Sequence, residues 1–140
     1  MSPLDRDLLA ERAIALERHL RRVADRLPAD ADELRPGTDA SDAVVLHLWQ
    51  ATQIAIDLAT SACLKFNLGT PTSYADAFAR LRSADVIGAE LARRLVKAAG
   101  FRNIVAHAYE ELDMRRVHEA ALRGPADLRA LVKSLSDRLR

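Results

Sequence analysis

The sequence contains one cysteine, Cys63, which excludes an internal disulfide and a zinc finger. Glycine and proline are scarce, five of each in 140 residues, and Ala, Leu and Arg fill long stretches between them. A chain with so few breakers is expected to be all-helical. No uncharged apolar run reaches the length of a membrane span. The N-terminus, "MSPLDRDLLAERAIALERHL", is charged from its start and does not read as a secretory signal. The expectation is a soluble cytoplasmic protein with no membrane contact. An excess of one charge is missing too: formal net charge is +1, so nucleic acid would have to be drawn by a local patch rather than a global field.

What remains is ordinary globular composition, 49% hydrophobic and 29% charged, which excludes wholesale disorder. Residues 1–140 are long enough for a single domain with a real core.

Ser2 followed by Pro3 reads as a helix start. Leu9, Ala13, Leu16, Leu20, Val23 and Leu27 then form one apolar seam on a first helix. "PADADELRPG", residues 28–37, interrupts it as a surface loop. Thr38 to Asp42 offers N-caps for a second helix, which would be about 26 residues and roughly 39 Å long. That helix is apolar around much of its girth, so it belongs at the centre. Ser73 caps a short helix over "YADAFARL", and "RSADVIG" forms a corner before a fourth helix beginning near Ala89. Leu91, Leu95, Val96 and Ala99 supply its inner face; Gly100 marks either a bend or a close contact. The fourth helix is predicted to continue to about Leu112, Asp113 to cap "MRRVHEAALR", and "RGP" at 123–125 to break the chain before a closing helix. The fold class is all-α, an antiparallel bundle of five to six helices with two long core members.

The unusual stretch is "GFRNIVAHAYEELD", residues 100–113, with Arg102, Asn103, His107 and Tyr109 inside eight positions. At about 100° per residue, Asn103 and His107 share a face, Arg102 and Tyr109 nearly eclipse, and Ile104 and Ala108 point inward. Arg102 and His107 lie about 140° apart, so they flank a ligand more readily than they touch. Two such helices facing each other would surround one phosphate with paired arginines and histidines, which favours a homodimer with a shared site on its two-fold axis. Histidine exchanges protons near neutral pH, and arginine offers phosphate a bidentate fork. RNA brings its own nucleophile, the 2′-hydroxyl, so such a pair needs no metal. Asn103 would orient the imidazole or donate to a phosphate oxygen.

"RNIVAHAY" resembles the R-x4-6-H signature of the HEPN superfamily, in the R-N-x3-H-x-Y form of HepT-type toxins. "SYADAFARL" and "ELARRLVKAAGFRN" resemble upstream family segments in the same order, so the likeness covers roughly residues 40–120. It implies a homodimeric, metal-independent ribonuclease toxin acting on RNA rather than DNA, without a cofactor. Its partner would be an MNT-type nucleotidyltransferase antitoxin that transfers AMP from ATP to the motif tyrosine. By position, Arg102 and His107 become the catalytic pair, Asn103 their support and Tyr109 the adenylylation site. Ala108 departs from the pattern, since many relatives carry an acidic residue between the histidine and the tyrosine. The alternative is a non-catalytic HEPN module that binds a nucleotidyltransferase or a nucleotide.

Other residues have plainer readings. Cys63, Trp49 and Phe66 read as core. His19, His47 and His118 are scattered, with no pair at metal-ligand spacing. Asp57, midway along the apolar second helix, is either a buried carboxylate near the dimer cleft or part of a narrow solvated stripe. Arg93, Arg94 and Lys97 either extend a phosphate-tracking surface or form a solvated face.

Overall fold

A computed structural model describes residues 3–140, in which five α-helices follow one another: α1 (Arg6–Arg26), α2 (Asp39–Lys65), α3 (Tyr74–Ser83), α4 (Ala89–Ala108) and α5 (Met114–Arg138). Short 3₁₀ turns occupy Ala31–Glu33 and Tyr109–Glu111, and no strand occurs among the described residues. None of these helices is long and apolar enough to cross a membrane.

Local chemistry explains most boundaries. Asp5 caps α1 by accepting from the Leu8 amide at 2.7 Å. Thr38 and Ser41 close a capping box on α2, while Ser73 and Asp113 cap α3 and α5. The expected start at Ser2–Pro3 is not where α1 begins: Ser2 lies outside the described residues, and the carboxylate of Asp5 takes the capping position instead. After α2 the chain turns sharply, with Asn67 at φ 57° and Gly69 at φ 91°. A side chain at Gly69 would collide with Arg80, whose Nη1 donates to the Leu68 carbonyl at 2.6 Å while its Nε donates to Asp76 at 2.8 Å. Glycine is required at that corner both for its backbone angle and for space.

Cross-helix contacts give the directions. The Leu4 amide meets the Ser61 carbonyl, and His19 meets His47, so α1 and α2 run antiparallel. Arg6 reaches the Leu139 carbonyl and Arg129 pairs with Glu17, which sets α5 antiparallel to α1. The main core joins Leu9, Leu16 and Leu20 of α1 to Leu58 and Ala62 of α2, Phe78 and Leu81 of α3, Leu95 of α4, and Leu131 and Leu135 of α5. A smaller core collects Val23, Leu34, Val44, Val45, Leu48, Val105, Val117 and Ala121, with Trp49 and Phe101 packed against it. Central α2 contributes to both, as its apolar girth requires. Cys63 is buried, its thiol pushed up by that burial. Phe66 and Trp49 are half-buried against the two cores.

Three expectations about helix ends and faces are corrected. No break occurs at residues 123–125, because α5 runs unbroken with Pro125 inside it. Its buried positions Val117, His118 and Ala121 before the proline, and Leu128, Leu131 and Leu135 after it, keep one register, and their packing outweighs the lost backbone bond. Helix α4 stops at Ala108 rather than Leu112, since Ala108 leaves helical angles at φ −145°, ψ 42°. Ile104 is 48% exposed, and the inner face is supplied by Val105 instead. Gly100 lies within α4, and an added Cβ would find nothing within 4 Å in the chain, so no intrachain close contact requires it. Residues 28–37 are the expected connection, anchored by Leu34, which is buried in the smaller core.

Candidate active site

The C-terminal half of α4 lies on the smaller core through Val105 and, one turn earlier, Phe101. That anchoring turns Arg102 and Asn103 sideways toward α2 and α3 and leaves Ala106 and His107 exposed. Arg102 donates from Nε to Gln53 Oε1 at 2.7 Å and from Nη1 to Asn103 Oδ1 at 3.1 Å. Gln53 in turn donates to Asp57 Oδ1 at 3.0 Å, and Asn103 Nδ2 contacts the Tyr74 hydroxyl at 3.0 Å. Asp57, Gln53, Arg102, Asn103 and Tyr74 therefore form one half-buried polar chain across three helices. A guanidinium carries about five N–H donors; the Nη2 edge of Arg102 has no protein partner among the described residues. It is the edge that can fork onto a phosphate.

His107 is exposed and makes no hydrogen bond among the described residues. On the regular helix it stands about 140° around from Arg102. Within one chain the two groups diverge, so a ligand touching both needs groups from elsewhere to complete its surroundings. Asn103 is not placed to orient the imidazole: its carbonyl receives Arg102 and its amide nitrogen meets Tyr74, so it braces the arginine.

Tyr109 does not eclipse Arg102, because the helix has ended one residue before it. The turn directs its ring toward the first turn of α2, where its hydroxyl donates to Asp42. That hydrogen bond, together with burial and the carboxylate charge, pushes the phenol up to about 12. Asp42 and Gln53 are eleven residues apart on α2, about 16 Å, and nearly eclipsed. Arg102 and Tyr109 are thus fastened to a single stripe of α2, with α4 antiparallel to it. Leu46, 44% exposed, falls on the stretch between them.

The structure brings Arg102 and Asn103 together, turns His107 away from them on the exposed side of α4, and places Tyr109 beyond the helix end against α2. Sequence reasoning missed Asp42, Gln53 and Tyr74, and left Asp57 undecided. Asp57 proves to be half-buried on a polar stripe joined to Arg102 through Gln53. The signal was available: Asp42, Gln53 and Asp57 recur at helical spacing along an otherwise apolar helix. Arg93 and Arg94 pair with Glu90, and Arg94 also with Asp127, which makes them a compensated surface. No group of three or more potential metal ligands occurs among the described residues.

Comparison with known proteins adds an independent observation. The mRNA nuclease HepT of Shewanella oneidensis is 28% identical over 108 residues, covering 77% of this chain and 80% of that one. The solved structure of the tri-AMPylated Shewanella oneidensis HEPN toxin in complex with MNT antitoxin superposes with a TM-score of 0.84 at 24% identity, covering 94% of this chain and 98% of that chain. YutE from Bacillus subtilis, a cytosolic protein of unknown function, superposes at 0.80 with 16% identity over 99% of this chain and 93% of its own. The HepT-like family model, described as ribonuclease HepT-like, matches residues 16–135. The chain belongs to the HepT-like ribonuclease family.

Proposed function

We propose that this chain is the metal-independent ribonuclease toxin of a HepT/MNT-type toxin–antitoxin pair, acting in the cytoplasm as a homodimer. The observation that carries the reading is Arg102, braced by Gln53 and Asn103 with its outer edge open, five positions before an exposed His107 on the same helix. Divergence of the two groups within one chain supports a composite site in which a second copy supplies the complement.

In that cleft an RNA phosphate sits against the open fork of Arg102. A His107 imidazole takes the proton of the neighbouring 2′-hydroxyl, whose oxygen attacks phosphorus. The bond from phosphorus to the 5′-oxygen breaks, and a protonated imidazole returns a proton to that leaving oxygen. The products are a 2′,3′-cyclic phosphate and a 5′-hydroxyl. Arg102 stabilises the charge that accumulates on the phosphorane, an interaction worth most where donors are held in place beforehand. DNA lacks the nucleophile and is not cleaved.

Restraint by an MNT-type nucleotidyltransferase fits Tyr109. Its oxygen attacks the α-phosphorus of ATP, pyrophosphate leaves, and the phenolic proton is released. The resulting phosphodiester stands two residues from His107 and adds negative charge and bulk where RNA must pass. Purified protein incubated with labelled RNA in EDTA tests the reading. Cleavage that persists in EDTA and disappears in His107→Ala is expected. A wild-type protein that leaves RNA intact would instead favour a non-catalytic module that binds its nucleotidyltransferase partner or a nucleotide.

A further inference from the structure

His19 and His47, far apart in sequence, meet across α1 and α2 with their Nδ1 atoms 3.0 Å apart and ring centroids separated by 5.3 Å. Two ring nitrogens at that distance share one hydrogen, so one ring donates and the other accepts. The contact tolerates a single added proton but not two. Both rings are held below the ordinary histidine value, first by burial. For His19 the neighbouring His47, Arg22, Arg12 and Arg18 add to the effect, and for His47 so do Arg22 and Arg26. The guanidinium groups that hold the two rings down all come from α1.

Those four arginines are also uncompensated. None of Arg12, Arg18, Arg22 and Arg26 lies within the 4.0 Å ion-pair distance of a carboxylate oxygen among the described residues. Elsewhere the surface arginines are mostly paired, as at Arg80, Arg93, Arg94, Arg115 and Arg129. Arg12, His19, Arg22 and Arg26 recur at spacings of seven, three and four along one flank of α1, beside the edge that α2 presents. In a chain of net charge +1, this is a local concentration of positive charge.

Two imidazole nitrogens at this separation resemble adjacent ligands of a transition metal. A cation there would meet four guanidinium charges, and no third histidine, cysteine, aspartate or glutamate completes a ligand group among the described residues. A purely structural histidine pair would account for the rings but not for the four open arginines. An anion satisfies both. We propose that the His19–His47 pair and the flank of Arg12, Arg18, Arg22 and Arg26 form a phosphate-binding subsite for RNA outside the Arg102 and His107 centre. His47 lies six residues before Gln53 on α2, about 9 Å along its axis and about 120° around it, so an RNA strand that engages both places passes around α2 rather than along one face of it. A phosphate at the pair supplies the negative charge that the rings lack, and binding is accompanied by proton uptake.

This inference rests on the ribonuclease reading for its ligand, but its test does not depend on cleavage. In the His107→Ala background, a fluorescein-labelled single-stranded RNA is titrated and followed by anisotropy at several salt concentrations. Each phosphate contact in single-stranded nucleic acid contributes roughly −0.7 to the slope of log affinity against log salt. Arg22→Gln combined with Arg26→Gln is expected to shallow that slope by about 1.4 and to weaken binding by about tenfold or more at low salt. Affinity should rise as pH falls from 8 to 6, and His19→Gln with His47→Gln should abolish that rise while leaving the melting temperature of the protein intact. An unchanged slope in the arginine variant overturns the subsite, as does weakened capture of the antitoxin with unaltered RNA binding, or a nickel-induced shift of both imidazole signals that RNA does not displace. A wild-type chain that binds RNA through this flank but never cleaves it would retain the subsite and remove the ribonuclease reading.

Discussion

The hydroxyl of Tyr109 donates to the carboxylate of Asp42, tying the turn after α4 to the first turn of α2. The contact keeps the phenol protonated, because ionising it would set two negative charges against each other. A raised folded-state value means that the contact stabilises the protein below the unfolded phenol value of about 10 and loses that contribution as pH rises toward about 12. Ultraviolet titration should therefore show one late tyrosine in the wild type that is missing in Tyr109→Phe. In Asp42→Asn its midpoint should move down toward the ordinary phenol value. A midpoint indifferent to Asp42 would mean that the hydrogen bond does not persist in solution.

Gln53 is the anchor of Arg102, joined to it at 2.7 Å. A hydrogen bond to a charged group contributes about 1.5–3 kcal/mol, and about 1.4 kcal/mol corresponds to a tenfold change in rate. Gln53→Leu keeps the bulk while freeing the guanidinium, so kcat for RNA cleavage should fall about tenfold or more with little change in KM. An unaltered kcat in a folded Gln53→Leu protein would show that Arg102 needs no positioning from α2.

Much of this architecture was legible in the sequence, for reasons that differ by element. The caps Thr38, Ser73 and Asp113 announce themselves because their side chains satisfy amides a few residues away, and the seams of α1 and α2 follow helical period. Pro125 misled, because local propensity speaks for a break while the apolar register on either side of it, visible only in the packed bundle, holds α5 together. Ile104 misled in a similar way, since α4 rotates to place Val105 inward and the exposed isoleucine has no local signature. At the candidate site, the motif pointed to Arg102 and His107. It did not reveal that Asn103 braces the arginine, or that Tyr109 leaves the helix to reach Asp42, because both depend on α2 and α3. The meeting of His19 with His47 was likewise hidden, being set by how two helices pack rather than by any spacing within one of them.

The proline itself can be tested. Inside a helix it removes one backbone hydrogen bond and costs about 3 kcal/mol, offset by up to about 1 kcal/mol through restriction of the unfolded chain. Pro125→Ala should therefore stabilise the protein by about 2 kcal/mol and raise Tm by several degrees. Thermal unfolding by circular dichroism reads this directly. A lower Tm would indicate that the distortion Pro125 introduces fits α5 to its neighbours.

Whether Arg102 of one subunit works with His107 of the other is decided by subunit mixing. Arg102→Ala and His107→Ala proteins are each assayed for cleavage of labelled RNA in EDTA, then co-refolded so that mixed dimers form. Each variant alone should be inactive, and the mixture should recover cleavage, because a mixed dimer retains one intact arginine and one intact histidine on opposite chains. A mixture as inactive as its parents, although mixed dimers are shown to be present, would contradict the composite site.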